Sequence, residues 1–261
     1  MNPTERFQYK KVEGITALSA SIQDFTYKKH SHQEYSFGVT LRGIQRFTMD
    51  GSLQLSHAGG VMMFNPEQAH DGMANGKEGL DYVMLYIDPQ MLNEAAGQKD
   101  WIYFSSPVVY DSALQRKILE LSQVTVHGGD EALRTERLLS LADHLTGAEL
   151  VVPHLQDPRL ISAAKEMLHT DLAGVVKLDE ISQELNLSKF QFIRMFKAQT
   201  GISPYQYFLN RKIEYAKQLI EQKKDVYTAV AECGFVDLTH LNKHFKSVYG
   251  ITAFEYMNVL S

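Results

Sequence analysis

Four residues in the first third of the chain have types and spacing that can do chemistry. His30, His32 and Glu34 fall at alternate positions, and His70 follows beyond several turn signals. Imidazole and carboxylate together suit zinc, iron or manganese. The same groups can instead hold the polar end of a small molecule. The plain alternative is a solvated loop, since His30 and His32 stand beside Lys28-Lys29. Tyr82 and Tyr86 form a further pair. Strand alternation puts them with Met84 on one face and Val83, Leu85 and Ile87 on the other, without saying which face is interior. The single cysteine, Cys233, leaves no internal disulfide framework and no thiolate zinc cluster within one chain.

The elements that must position these groups change texture along the chain. Residues 15–90 read as β. Tyr35 to Leu41 alternates large apolar with small or polar residues, and Leu80 to Ile87 is a β-branched and aromatic run. Asp50-Gly51 is a hairpin signal, and Arg42-Gly43, Gly59-Gly60 and Asn65-Pro66 are further breaks. Many short strands between turn signals imply a sandwich or small barrel. Leu114, Ile118 and Leu121, then Leu133, Leu138, Leu141 and Leu145, mark two amphipathic helices at 112–125 and 131–148. They suit either dimer pairing or covering the open side of the barrel. Residues 151–157 read as a linker. Helices follow near 158–169, 178–184, 189–199, 204–222, 226–233 and 238–249.

Composition fits this division. The 261 residues suggest one or two domains. With 44% apolar and 22% charged residues the chain is not a wholly disordered one. No apolar run approaches the ~20 residues of a membrane helix, and the start MNPTERFQYKK lacks a signal-peptide core. A cytoplasmic protein with no membrane association is the expectation. Residues 1–154 carry 13 Lys plus Arg against 19 Asp plus Glu, net −6, whereas 155–261 carry 13 against 12, net +1. The acidity belongs to the front, and the tail is only mildly basic.

Two stretches of the tail share one layout. Leu178 to Ser188, Lys189 to Thr200 and Gly201 make the first. Val226 to Asp237, Leu238 to Tyr249 and Gly250 make the second. Each is a short helix, a turn, a longer helix and a closing Gly, with Ser188 and Asp237 at N-cap positions and Gly201 and Gly250 at C-caps. Phe196-Lys197 matches Phe245-Lys246, and Arg194 falls opposite Lys243. This is an internal repeat of a helix-turn-helix, with copies about 49 residues apart. A second helix of that kind can enter the major groove. Two copies on one connecting helix would meet groove segments about one helical turn apart, ~34 Å.

The tail resembles the AraC/XylS family of bacterial transcription regulators over roughly residues 157–256. The carriers are Ala231-Glu232-Cys233-Gly234-Phe235, Asp237, Thr239, Leu241, Lys243, Phe245-Lys246 and Gly250, with Leu187-Ser188, Arg194, Phe196-Lys197 and Gly201 to Tyr205 in the first repeat. Ala253 stands where the family usually has Pro, and Met257 near where it often has Arg. Carried over by position, the resemblance implies base contacts from Phe190, Gln191, Ile193 and Arg194, and from Leu238, Thr239, Asn242 and Lys243. Arg can fork onto guanine, Gln and Asn onto adenine, and apolar groups can meet a thymine methyl. Lys189, Lys197 and Lys246 suit phosphate. Phe192, Met195, Phe196 and Leu241 are expected in the core.

Residues 25–90 resemble the cupin-type sensor barrel that precedes this tail in many family members, on His30 to Glu34, Leu41-Arg42-Gly43, Gly60 and Asn65 to His70. That implies an effector pocket lined by His30, His32, Glu34, His70, Tyr82 and Tyr86. Cupin enzymes hold a metal with His-x-His, a Glu shortly after and a later His. Here the Glu comes early, and Ser36 or Phe37 occupies its usual place, so no metal, no cofactor and no catalytic residue is assigned and no enzyme activity is expected. The alternative is a metal-binding cupin enzyme or metal sensor fused to a DNA-binding domain. The barrel also resembles regulators associated with amino-acid export, which implies an amino-acid effector. The whole expectation is an α+β chain of two domains. Residues 1–150 form a cupin-like β-barrel with two following helices, 151–157 a linker, and 158–261 an all-α domain with two helix-turn-helix motifs. The implied partners are double-stranded DNA, a small-molecule effector, RNA polymerase and a second copy of the chain. Activation is the implied mode. The N-terminal arm, residues 1–14, is a candidate moving part.

Overall fold

The computed structural model describes residues 5–98, 101–128, 130–147, 151–152, 159–223 and 225–259. The chain divides into two compact units, Met1–Thr26 with His32–His154, and Tyr27–Ser31 with Leu155–Ser261. In the front half the strands are β1 (Arg6–Val12), β2 (Ile15–Ile22), β3 (Thr26–His30), β4 (Tyr35–Arg42), β5 (Ile44–Met49), β6 (Ser52–His57), β7 (Val61–Phe64), β8 (His70–Ala74) and β9 (Leu80–Ile87). Helix α1 (Pro89–Ala95), short strands β10 (Tyr103–Phe104) and β11 (Val108–Val109), helices α2 (Ser112–Val126) and α3 (Glu131–Gly147), and β12 (Val151–Val152) follow. The strands form a six-stranded sheet ordered β1-β2-β9-β4-β7-β11 and a four-stranded sheet ordered β3-β8-β5-β6.

The alternation in β4 and β9 explains the layering. Ile15, Ala17, Tyr35, Phe37, Val39, Val61, Met63, Leu85 and Ile87 project from one face of the larger sheet into a core shared with Leu114, Ile118 and Leu121 of α2 and Leu138, Leu141 and Leu145 of α3. Each fully buried Val, Leu, Ile, Phe or Met side chain among them contributes roughly 1.5–3 kcal/mol. The two helices therefore cover this sheet. Leu133, expected on the same stripe, is 37% exposed. Because Leu85 and Ile87 serve this core, Tyr82, Met84 and Tyr86 take the opposite face, toward the smaller sheet. There Phe64 of β7 meets Phe47 of β5 at 5.1 Å and His70 of β8 at 4.1 Å between ring centroids.

Local chemistry sets the turns. Asp50 and Gly51 adopt φ of 50° and 78°, joining Met49 to its partner Ser52 in a two-residue hairpin. Arg42 donates from Nε to Asp81 at 2.6 Å, tying β4 to β9. Asp111 caps α2, accepting from Ala113 and Leu114 N–H, and its other oxygen meets His144 of α3 at 2.8 Å. Residues 6–12, part of the arm named as a candidate moving part, pair along their whole length with β2, from Arg6↔Ser21 to Val12↔Ile15. Val151 and Val152, expected at the start of the linker, pair with Phe104 and Tyr103.

The rear half is helical: α4 (Arg159–His169), α5 (Leu178–Glu184), α6 (Lys189–Thr200), α7 (Pro204–Lys223), α8 (Val226–Glu232), α9 (Leu238–Tyr249) and α10 (Ala253–Val259). The last of these was not anticipated. Thr252 and Glu255 cap it reciprocally, so it starts at Ala253 without the proline. Phe192, Phe196 and Leu241 are fully buried, as expected, and so is Phe245, whereas Met195 is only half-buried. Phe196 packs edge-on against Tyr207 of α7 at 5.4 Å. Glu214 and Glu221, seven residues apart on α7, accept hydrogen bonds from Tyr249 and Tyr256 at 2.5 and 2.7 Å.

Candidate nucleic-acid interface and effector site

Helices α5–α6 and α8–α9 are the two expected helix-turn-helix copies. The Ser188 hydroxyl accepts from Gln191 N–H at 3.3 Å, and Gln191 Oε1 accepts from Ser188 N–H at 2.9 Å, a complete capping box. Asp237 Oδ1 accepts from His240 N–H at 2.7 Å in the second copy. Gly201 and Gly250 close α6 and α9 at φ of 75° and 78°, the left-handed geometry glycine tolerates.

On α6, Phe190, Gln191, Arg194 and Lys197 are exposed, with Phe190 at 70%, while Lys189 and Ile193 are half-buried. On α9, Thr239 and Lys243 are exposed, and Leu238, Asn242 and Lys246 are half-buried. Three of these side chains are engaged or hidden in ways their residue type did not signal. The Gln191 carbonyl is committed to the cap. Lys189 Nζ pairs with Asp179 of α5 at 2.6 Å. The Asn242 Oδ1 is buried without a hydrogen-bond partner among the described residues, so forking onto adenine would need a rotamer change. Arg194, Lys197, Thr239 and Lys243 are exposed.

In the front half, ring nitrogens of His32 and His70 lie within 4.8 Å of each other, and both residues are buried; His30, also buried, falls in the other compact unit. His30 ends β3, the edge strand beside β8, which His70 begins. His30 Nδ1 is 2.6 Å from the Lys28 carbonyl and His70 Nδ1 is 2.9 Å from that of Gln68. A carbonyl only accepts, so each Nδ1 carries a proton, and in the neutral ring each Nε2 keeps a lone pair. His32 packs edge-on against Tyr86 at 5.0 Å and lies 5.4 Å from His70. Glu34 is half-buried and reaches within 4.8 Å of a His32 nitrogen but is not grouped with His70. Tyr82 shares the inward face, but four residues of strand put it ~13 Å from Tyr86. The structure thus brings together His32, His70 and Tyr86, puts Glu34 at the margin and Tyr82 further along.

Sequence reasoning missed the apolar lining. Phe64 stacks on His70. At Gly38 an added Cβ would lie 2.3 Å from Met84 Sδ and 2.6 Å from Met62 Cε, so the two methionines fill the space this glycine leaves. The period-two spacing of Met62 and Phe64 on β7 was the available signal. Asn65, by contrast, is structural, exchanging two 2.9 Å bonds with the Phe104 backbone.

A barrel with a polar, imidazole-lined interior joined to two helix-turn-helix motifs defines a class: ligand-responsive transcription regulators. Comparison with known proteins agrees. The AraC-like ligand binding domain family matches residues 14–142, and a helix-turn-helix domain family matches residues 181–258. The HTH-type transcriptional regulator YbfI of Bacillus subtilis is 27% identical over 82% of this chain and 81% of its own length. The probable transcriptional regulator LumQ of Photobacterium leiognathi is 25% identical over 88% and 91%. Among solved structures, ToxT of Vibrio cholerae with bound unsaturated fatty acid matches at a TM-score of 0.63 and 14% identity, covering 100% of this chain and 98% of that one. ToxT bound to (E)-4-(8-methylnaphthalen-1-yl)but-3-enoic acid matches at 0.63 and 12%, covering 95% and 100%. The chain belongs to the AraC/XylS family: it is a transcriptional regulator with a cupin-like ligand-binding domain and a helix-turn-helix DNA-binding domain. No helix among the described residues is long and apolar enough to cross a membrane.

Proposed function

We propose that the chain is a cytoplasmic, non-enzymatic activator that binds DNA as a homodimer, engages RNA polymerase and responds to a small carboxylate, with amino acids the first class to test. The observation that carries the effector reading is the buried pair His32 and His70 beside Tyr86 and Phe64. With a proton taken up at Nε2 an imidazole ring donates to a carboxylate, as a phenol does, and the aromatic and methionine lining suits an apolar body. Both ToxT ligands named above are carboxylic acids, so an amino acid and a fatty acid share the recognised group. Glu34 at the margin suits an ammonium, which an amino acid has and a fatty acid lacks. Activation and the dimer rest on the family resemblance. Arg194 and Lys243, at matching places in the two exposed helices, are the central DNA contacts of this reading. Phe190, Ile193, Leu238 and Thr239 complete the base-reading faces, and Lys197 and Lys246 meet phosphate. A ligand alters DNA binding only by favouring one of two states.

The test is thermal unfolding of the full chain against amino acids, fatty acids, sugars and divalent metals. A ligand present at about 100 times its Kd adds about 2.7 kcal/mol if it binds only the folded state. An amino-acid hit that disappears in His70→Ala supports the reading, and a fatty-acid hit with the same dependence keeps the site but changes the effector class. A sugar hit would replace the carboxylate. A second reading, a metal-responsive regulator, is favoured by the neighbouring His32 and His70 rings, the latter directing Nδ1–H at a carbonyl in the manner of a metal-ligating histidine. A stabilising shift from metal alone, lost in His70→Ala, selects it.

A further inference from the structure

We propose that His240 and His244 form a two-imidazole chelate for a divalent transition metal of the zinc, nickel and copper class on α9. The two residues are one turn apart, so their side chains share a side of the helix. Their Nε2 atoms face each other at 3.1 Å, with ring centroids 4.8 Å apart and planes at 78°. Two nitrogens each ~2.0–2.1 Å from one zinc, at bond angles between octahedral and tetrahedral, stand about 2.9–3.4 Å apart. The pair therefore has a chelating bite already. Phe235, in the turn before α9, packs against both rings at 5.5 and 6.4 Å and fixes their orientation. Imidazole suits zinc, copper and nickel alike. Both residues are half-buried rather than sealed, so an ion has access.

Among the described residues no further His, Cys, Asp or Glu joins this pair as a third ligand. The remaining coordination positions fall to water, which makes the site an exchangeable one rather than a structural zinc centre. An N–H···N hydrogen bond between the rings fits the same distance, and the metal competes with that one shared proton. Bound metal would cross-link the first turns of α9 and brace them against Phe235.

The experiment titrates the chelator-stripped full chain with Ni²⁺ and with Zn²⁺ by calorimetry, for wild type, His240→Gln, His244→Gln and His70→Gln. Cu²⁺ electron paramagnetic resonance reports the ligand atoms, and each variant's melting curve establishes that it folds. The expected result is uptake of one ion that either α9 variant abolishes and His70→Gln leaves intact, with a copper spectrum carrying hyperfine coupling from two nitrogens. His240 serves as the second variant should His244→Gln fail to fold. Uptake that persists unchanged in a folded α9 variant, that depends only on His70, or that is absent from wild type overturns the proposal.

Discussion

Gly234→Ala tests the turn that aims the second reading helix. Gly234 lies between α8 and α9 at φ of 60°. A Cβ there would sit 1.9 Å from the Ala173 carbonyl oxygen and 2.8 Å from its carbon, both backbone atoms that cannot rotate aside. The left-handed conformation costs an L-residue ~1–2 kcal/mol. Displacing one segment by more than ~1 Å adds about 1–3 kcal/mol on the scale of overpacked cores. The sum, roughly 2–5 kcal/mol, is a large fraction of the 5–15 kcal/mol typical of a domain. Urea unfolding reads it with two probes. Trp101, the single tryptophan, reports the front half, and far-ultraviolet circular dichroism is weighted toward the helical rear. The dichroism transition is expected to move to lower urea while the tryptophan transition stays. Gly59→Ala is the control, since Gly59 has φ of 86° but nothing within 4 Å of an added Cβ, so only the conformational cost applies. A rear transition within ~0.5 kcal/mol of wild type would refute the clash argument.

Three further outcomes are expected. Arg194→Ala weakens cognate DNA by ~1–3 kcal/mol and random DNA far less, whereas Lys197→Ala weakens both alike and lowers the salt slope by about one; gel shifts at several salt concentrations separate them, and equal losses for Arg194→Ala on both DNAs would remove it as a base reader. Cys233 is fully buried and its thiol is pushed up to about 12 by that burial, so a thiol reagent at pH 8 labels the chain only after unfolding; rapid labelling of native protein would contradict its placement. The Asp111 carboxyl is held below its ordinary pKa by the Leu114 N–H and by His144. Its stabilisation is therefore complete above the unfolded value, ~3.9, and is lost as pH falls below about 4 through the lower folded value. Asp111→Asn should flatten that acid limb in melting curves, and an unchanged limb would assign it elsewhere.

What was legible was local or repeated. Asp50-Gly51, Ser188, Asp237, Gly201 and Gly250 state their backbone geometry in their own chemistry, and the structure places a hairpin, two N-caps and two C-caps on them. What was not legible depended on partners distant in sequence. The alternation of β9 gave two faces, but only the leucines of α2 and α3 decide that Leu85 and Ile87 turn away from the barrel interior. The strand β1 mixes Arg6, Lys10 and Lys11 with apolar residues because it is an edge with one exposed side, so it carried no strand signal. The reading faces were found by position, yet the engagement of Gln191 and Lys189 depends on Ser188 and Asp179, and residue type alone is silent about such competition. The histidines were singled out as a set with Glu34, while Phe64 and Met62 went unnoticed because an apolar residue on a strand looks the same whether it fills a core or lines a site.

The connecting helix α7 carries a consequence for operators. Its 20 residues span ~30 Å, and it is fastened at both ends, to α6 through Phe196–Tyr207 and to α9 and α10 through Glu214–Tyr249 and Glu221–Tyr256. A protein built this way behaves as a fixed gauge. On the proposed reading, in which both helix-turn-helix copies read DNA, the two halves of its target would be locked in helical phase. Inserting about five base pairs between them turns one half to the far side of the duplex. Inserting a full turn restores the face but adds ~34 Å, more than the length of α7 itself. Regulators tethered by loose linkers tolerate that second change; this one is expected to lose both, and its target sites should vary in sequence far more readily than in spacing.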